Sequence, residues 1–193
     1  MEIVHGVPER FRDRAVELYD EAFGAKFSVA IGSRVTRLAL LRDSLRLDYS
    51  FAAVDGDQLF GLAGYQTLDG SFTSGMTFDG MIKRCGLLRG VWAALILSLY
   101  ERSIAEGELL MDGIVVCSSV RGRGIGGKLL QRIADFATEQ HYKSIRLDVI
   151  DTNVAAKRLY ERNHFVATRH EEFGYLRWLL GFGASTTLVR SVE

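Results

Sequence analysis

Hydrophobic and polar positions along the chain follow two periods, and each period predicts a different kind of element. Apolar residues that recur about every three or four positions are typical of helices, whereas short alternating or continuous apolar runs are typical of strands. The helical pattern covers residues 8–23, 34–45, 87–101, 128–140 and 153–162. The strand pattern covers residues 3–4, 47–54, 59–66, 109–117, 144–150, 165–168 and 186–192. This order predicts a mixed α/β (α+β) fold in a single domain over residues 1–193.

Composition narrows the class of protein further. The chain has 193 residues, of which 48% are hydrophobic, so it can bury a sizeable core without disulfides. Lys plus Arg and Asp plus Glu number 24 each, and this balance gives no reason to expect a nucleic-acid or membrane partner. The two cysteines match no metal-ligand spacing, and acidic residues interrupt any signal peptide. We therefore expect a soluble, cytoplasmic protein without a metal.

A glycine-rich segment between a predicted strand and a predicted helix carries the candidate chemistry. Residues 121–127 read Arg-Gly-Arg-Gly-Ile-Gly-Gly. Such a loop offers backbone N–H groups that no Cβ atom obstructs, and it lies at the positive end of the helix dipole. The segment is therefore predicted to bind phosphate groups.

Two familiar nucleotide-binding patterns fit this segment imperfectly. Gly122, Gly124 and Gly127 match a Rossmann G-x-G-x-x-G, and Asp148 lies about where its ribose-binding acid is expected. However, Rossmann glycines begin as the strand ends, and the chain after Asp148 is too short for the rest of a doubly wound sheet. Gly122, Gly127 and Lys128 nearly match a P-loop, but a leucine follows where a hydroxyl must hold Mg²⁺. Both interpretations are therefore rejected.

A third pattern, Arg-x-x-Gly-x-Gly, is met by Arg121, Gly124 and Gly126, and a second motif follows about thirty residues later. There residues 153–160 read Asn-Val-Ala-Ala-Lys-Arg-Leu-Tyr, followed by Phe165. Together the two motifs resemble the GCN5-related N-acetyltransferase (GNAT) superfamily, whose pyrophosphate loop precedes a strand and an Asn-x-x-Ala-x-x-x-Tyr helix. The resemblance implies a mixed, mostly antiparallel twisted sheet, flanked by helices and splayed at the fourth and fifth strands.

The resemblance also implies acetyl-CoA as co-substrate and gives roles to residues of both motifs. Val116 and Ser118 would be the backbone partners of pantetheine. Asn153 would hydrogen-bond the pantetheine arm, and Tyr160 would point at the sulfur. The small side chain of Ala156 would leave room for pantetheine beside the helix. A helix cap for Asn153 and a core position for Tyr160 are the alternatives. The residues of the pyrophosphate loop would be Arg121, Gly122, Arg123, Gly124, Ile125, Gly126 and Gly127.

Acetyl transfer to an amine needs a base for the amine and a hydrogen-bond donor for the departing sulfur. Tyr160 is the expected donor. Asp112 stands four residues before Val116, where some family members carry a catalytic carboxylate, and strand alternation predicts that both face the same side. A bulge or a solvent-facing carboxylate at Asp112 is an alternative, and Asp148 is a second candidate for the base.

The predicted activity is transfer of the acetyl group of acetyl-CoA to a primary amine by direct attack in a ternary complex. A non-catalytic acyl-CoA-binding or sensing module of the same fold is the alternative. The acceptor would be a small-molecule or peptide amine, which the sequence does not identify further.

Two stretches and one position depart from the family pattern. A helical insertion at about 67–108 and an apolar segment at 175–183 either wall the acceptor pocket, pack on each other or form a homodimer contact. His164 stands where the family usually has Gly before Phe165. We therefore expect Asn163 to supply the left-handed residue at that helix end.

Overall fold

A computed structural model describes residues 1–98, 102–174, 177 and 181–192, apart from the side chain of Lys26. Its α-helices are α1 Arg12–Ile31, α2 Arg34–Ser44, α3 Phe78–Cys85, α4 Leu87–Ser98, α5 Ile125–Glu139 and α6 Val154–Arg162. Its strands are β1 Glu2–His5, β2 Ser50–Asp55, β3 Gln58–Thr67, β4 Gly70–Ser71, β5 Glu108–Val116, β6 Ser144–Ile150, β7 Val166–Glu172 and β8 Ala184–Ser191. Among these elements, no helix is long and apolar enough to cross a bilayer.

The strands form one mixed sheet with two covered faces. The strand order is β1-β2-β3-β5-β6-β8-β7, and the short β4 pairs with β3. Only β5 and β6 run parallel, and the other neighbouring strands of the described chain are antiparallel. One apolar cluster lies between the sheet and α1 to α4, and a second lies beneath α5 and α6. The predicted fold class is confirmed.

The parallel pair β5 and β6 separates soon after it begins. Its register covers only Glu108 with Ser144, Leu109 with Ile145 and Leu110 with Arg146. Beyond this point β5 continues to pair with β3, and β6 continues to pair with β8. The strands therefore splay as expected, and the second half of β5 presents an edge that β6 does not cover.

A β-bulge in β5 lies next to the splay. Gly64 of β3 pairs with Gly113 and Tyr65 pairs with Met111, so Asp112 is the extra residue. A Cβ atom on Gly113 would overlap the Phe23 ring of α1, so the close approach of that helix requires glycine here. The bulge shifts the side-chain alternation by one residue between the two halves of β5.

Helix α1 extends to Ile31, well past the predicted end at residue 23. Its interior Gly24 lies against the buried ion pair of Asp20 with Arg37 of α2, and a Cβ atom there would meet the Asp20 carboxylate at 2.9 Å. The ion pair joins α1 to α2, and the apolar face of α1 continues beyond it through Phe27 and Ala30. This tertiary contact stabilises a glycine-containing helix that local propensity disfavours.

The end of α6 corrects the expectation for Asn163. His164 adopts φ 66°, whereas Asn163 has φ −104° and caps the helix from the right-handed side. The Phe165 N–H donates to the Tyr160 carbonyl at 3.1 Å and the His164 N–H donates to the Glu161 carbonyl at 3.2 Å. These two bonds define a Schellman motif, in which the residue after the cap is left-handed. His164 therefore takes the position that glycine usually fills.

Candidate active site

The glycine-rich loop ends directly at the amino terminus of α5. Gly124 is the N-cap with φ 77° and ψ 3°, so the helix begins at Ile125 rather than at the predicted Lys128. The first helical bond runs from the Lys128 N–H to the Gly124 carbonyl at 3.1 Å. Consequently the N–H groups of Ile125, Gly126 and Gly127 have no acceptor within the helix. They point out of its positive end, which is the arrangement that binds phosphate.

The glycines of this loop have different structural roles. Gly122 and Gly124 have φ of 80° and 77°, and no heavy atom of the described chain beyond the adjoining residues lies within 4 Å of a Cβ built on either. The space above them is therefore open to a ligand. Gly126 instead packs against α6, where a Cβ would meet the Leu159 side chain at 3.0 Å. Gly127 has ordinary space, with Asn163 at 3.7 Å.

The backbone of Val116 faces the splay. The Cys117 N–H donates to the Phe60 carbonyl of β3 at 2.8 Å. Because backbone groups of a strand alternate between its two neighbours, the N–H and C=O of Val116 point to the opposite edge, where β6 has separated. The exposed Arg121 side chain folds back there, and its Nε donates to the Val116 carbonyl at 3.1 Å. Ser118 lies in the turn that follows the strand.

Helix α6 lines the other side of the splay. Asn153 is its N-cap, and its side-chain oxygen accepts the Ala156 N–H at 3.2 Å. The cap uses the carbonyl oxygen of the amide, so its NH₂ is the group that can donate to a ligand. Ala156 is half-buried against the cluster beneath α5 and α6. Tyr160 lies on the same face and packs edge-on against Phe165, with ring centroids 5.9 Å apart.

The Tyr160 hydroxyl lies in a desolvated environment beside a positive charge. The residue is only 7% exposed, and this burial raises the pKa of its hydroxyl to about 12. The nearby Arg102 guanidinium opposes the increase. Tyr160 is therefore a neutral hydrogen-bond donor at physiological pH.

Arg102 connects Tyr160 to strand β6. Its guanidinium pairs with Asp148 at 2.9 Å, and Asp148 also accepts a hydrogen bond from the Thr187 hydroxyl of β8. Asp148 thus lies at the splay, where its carboxylate holds Arg102. Each oxygen of the Asp148 carboxylate therefore has a partner, Arg102 for one and the Thr187 hydroxyl for the other.

Asp112 lies on the face of β5 that is opposite to Val116. The bulge places Asp112 with Leu110 in a cavity beside α1, whereas Ile114 and Val116 pack toward the cluster under α5. The prediction that alternation puts Asp112 and Val116 on one side was wrong, because the extra residue reverses the alternation. Thr73 holds the carboxylate, with its N–H donating at 3.3 Å and its hydroxyl at 3.2 Å.

The cavity that contains Asp112 has a volume of about 540 Å³. Helices α1, α3 and α4 form one part of its wall, and the end of β3, the turn after β4 and strand β5 form the other. Arg102 also lines it, so the cavity adjoins the region of Tyr160. Residues 71–98 of the insertion therefore contribute to this wall. Most of the 175–183 segment, including Trp178, lies outside the described residues.

Three residues near the candidate site belong to neither sequence motif, namely Tyr19, Thr73 and Arg102. Tyr19 belongs to the apolar face of α1, and burial followed by the charge of Asp112 raises the pKa of its hydroxyl well above its usual range. Thr73 and Arg102 lie in the insertion, for which the family pattern provides no guide. The only feature of the sequence that could have identified Tyr19 as a site residue was its hydroxyl on an otherwise apolar helix face. In the described part of the chain, no group of three or more His, Cys, Asp or Glu side chains could hold a metal ion.

The model of the acetyltransferase (GNAT) family matches residues 12–165. The chain belongs to the GNAT family. The match includes the glycine-rich loop, the splayed strands and α6, so the elements around the candidate site are those that the family shares. The predicted resemblance is confirmed.

Individual relatives show similarity in sequence or fold. Streptothricin acetyltransferase A of Bacillus subtilis (strain 168) is 32% identical over 65 residues, which span 34% of this GNAT chain and 38% of that protein. An N-acetyltransferase from Staphylococcus aureus Mu50 has a TM-score of 0.66 at 16% identity, covering 98% of this chain and 100% of that one. A Bacillus anthracis str. Ames protein solved with acetyl coenzyme A has a TM-score of 0.50 at 16% identity, covering 75% and 62%. The last two likenesses concern the fold.

Proposed function

We propose that this GNAT chain transfers the acetyl group of acetyl-CoA to a primary amine by direct attack in a ternary complex. The observation that carries the proposal is the splay of β5 from β6 beside a helix amino terminus that no side chain caps. An open strand edge suits the amides of pantetheine, and the helix terminus suits a pyrophosphate. The fold neighbour solved with acetyl coenzyme A is consistent with this assignment.

The chain offers binding groups for the pyrophosphate and pantetheine parts of the coenzyme. The N–H groups of residues 122–127 would hold the pyrophosphate, with Arg121 and Arg123 adding positive charge. The Val116 backbone and the Asn153 amide would bind pantetheine, with Ser118 at the start of the turn beside them. The small side chain of Ala156 would leave room for pantetheine along α6. The co-substrate supplies an activated acetyl thioester when bound.

Residues of β5 and α6, on the two sides of the splay, would supply the base for the amine and the hydrogen-bond donor for the sulfur. A primary amine of pKa near 10 must lose a proton at a cost of about 4 kcal/mol at pH 7. Asp112, oriented by Thr73, would accept that proton directly or through a water molecule. A backbone N–H near Val116 would stabilise charge on the acetyl oxygen, and Tyr160 would donate a hydrogen bond to the departing sulfur.

Amine-dependent thiol release tests the proposed function. Purified protein is incubated with acetyl-CoA and a panel of primary amines, and free coenzyme A is measured with a thiol reagent. We expect release that requires both the protein and an amine. Binding of coenzyme A in calorimetry without amine-dependent release would instead indicate the non-catalytic sensing module.

A further inference from the structure

The cavity beside Asp112 has an asymmetric lining. Most of the side chains that the helices contribute are apolar, and they include Phe27, Phe78, Met81 and Leu97; Met76 of the turn after β4 adds to them. The polar side chains of Gln66, Ser71 and Ser74 lie at the sheet side with the carboxylate that Thr73 holds, and Ser98 and Arg102 lie at the end of α4 and just beyond it. A ligand in this cavity therefore meets a polar end and an apolar body. The cavity therefore favours an acceptor that has a polar end and an apolar body.

The apolar wall is partly buried and partly open to solvent. Phe27 and Met81 are buried, and Tyr19 packs against Phe27 with ring centroids 6.1 Å apart. Phe78, the first residue of α3, is 50% exposed although it lines the cavity. Its ring can lose exposed apolar area when a ligand binds. Burial of apolar area is the term that would favour a hydrophobic ligand.

The lining of the cavity disfavours highly polar amines. A volume of about 540 Å³ is in the range of small-molecule sites and leaves room for a ring with a short side chain. An aminosugar or polyamine would place hydroxyl or ammonium groups against the apolar wall, at a cost of roughly tenfold in affinity for each unpaired group. The wall therefore selects against highly polar acceptors.

We infer that the acceptor is a small primary amine on a short chain that carries an aromatic ring or an apolar body of similar size. This inference rests on the proposed function, since it identifies the cavity as the acceptor site. The amine would lie toward Asp112 and the apolar body against α3 and α4. The helical insertion thus determines acceptor specificity.

Calorimetry on the full chain saturated with coenzyme A tests this acceptor class. The probes are 2-phenylethylamine, glucosamine, spermidine and the tripeptide Ala-Ala-Ala. We expect 2-phenylethylamine to bind at least tenfold more tightly than the other probes. Phe78→Ala should weaken its binding roughly threefold to tenfold, because apolar contact area is lost. Leu88→Ala, on the exposed face of α4 outside the cavity, is the control and should leave the affinity unchanged.

The outcomes separate this inference from the proposed function. Equal or tighter binding of glucosamine, spermidine or the tripeptide would overturn the acceptor class, and so would a failure of 2-phenylethylamine to bind. Phe78→Leu keeps an apolar side chain and should lose less affinity than Phe78→Ala, which distinguishes contact from misfolding. Acetyl transfer to glucosamine at a higher kcat/KM than to 2-phenylethylamine would refute the class while supporting the transferase. Binding of 2-phenylethylamine without any thiol release would refute the transferase alone.

Discussion

Tyr160→Phe removes one hydroxyl at the centre of the proposed chemistry while preserving the packing of the ring. Tyr160 is 7% exposed, and its contact with Phe165 is an edge-to-face ring contact that phenylalanine can also make. The pKa of its hydroxyl is about 12, whereas a free thiol has a pKa of about 8.5. Complete proton transfer from tyrosine to the departing thiolate is therefore unfavourable by about 5 kcal/mol. Tyr160 should stabilise the sulfur through a hydrogen bond.

The free energy of that hydrogen bond determines the expected decrease in kcat. A hydrogen bond to a charged group contributes about 1.5–3 kcal/mol, which corresponds to a decrease in kcat of roughly 10-fold to 150-fold. The KM for acetyl-CoA should change little. The assay is thiol release at saturating acetyl-CoA, with a single-turnover measurement to establish that chemistry limits the rate.

A matched variant controls for the loss of a tyrosine hydroxyl. Tyr65 also has a pKa raised to about 12 by burial, but its hydroxyl contacts His5 at 2.8 Å on β1. Tyr65→Phe should leave kcat unchanged.

Because the pKa of Tyr160 is raised, its proton remains bound through about pH 10, so wild-type kcat should show no alkaline loss below that pH. An unchanged kcat for Tyr160→Phe, when chemistry is rate-limiting, would refute the reasoning.

Three further predictions follow from individual residues. Asp112→Asn should lower kcat/KM most near neutral pH and less at alkaline pH, where free amine is abundant; a loss that is independent of pH would indicate a positioning role. Gly124→Ala, at φ 77°, should weaken coenzyme A binding at least tenfold in calorimetry, whereas Gly127→Ala, whose Cβ has space, should not. His164→Gly should raise the free energy of unfolding in urea by about 0.5–1 kcal/mol, because glycine adopts positive φ without the side-chain penalty; equal or lower stability would contradict this.

The conformation of the glycine-rich loop and the position of α6 were predictable because both depend on local sequence. Glycine at residues 122 and 124 corresponds to positive φ, and Asn153, Ala156 and Tyr160 lie on one stripe by helical spacing alone. The family resemblance added the splay, which depends on strands distant in sequence. The loop conformation and the stripe on α6 need few tertiary contacts to specify them.

Features that depend on distant contacts were not predictable from the same patterns. The bulge that turns Asp112 away from Val116 exists where the Phe23 ring reaches Gly113 from another element. The full length of α1 depends on an ion pair with α2, formed by Asp20 and Arg37. The cavity beside Asp112 arises where the insertion packs against α1, and no motif in the insertion indicates this.

Initial-rate kinetics with both substrates varied test the central claim most directly. Acetyl-CoA is varied at several fixed concentrations of 2-phenylethylamine, and the intact mass of the protein is recorded during turnover. Direct transfer in a ternary complex predicts intersecting double-reciprocal lines, an N-acetylated amine as product and an unmodified protein. Parallel lines with an acetylated protein in the mass spectrum, or acetyl-CoA that is never consumed with any amine, would contradict the account.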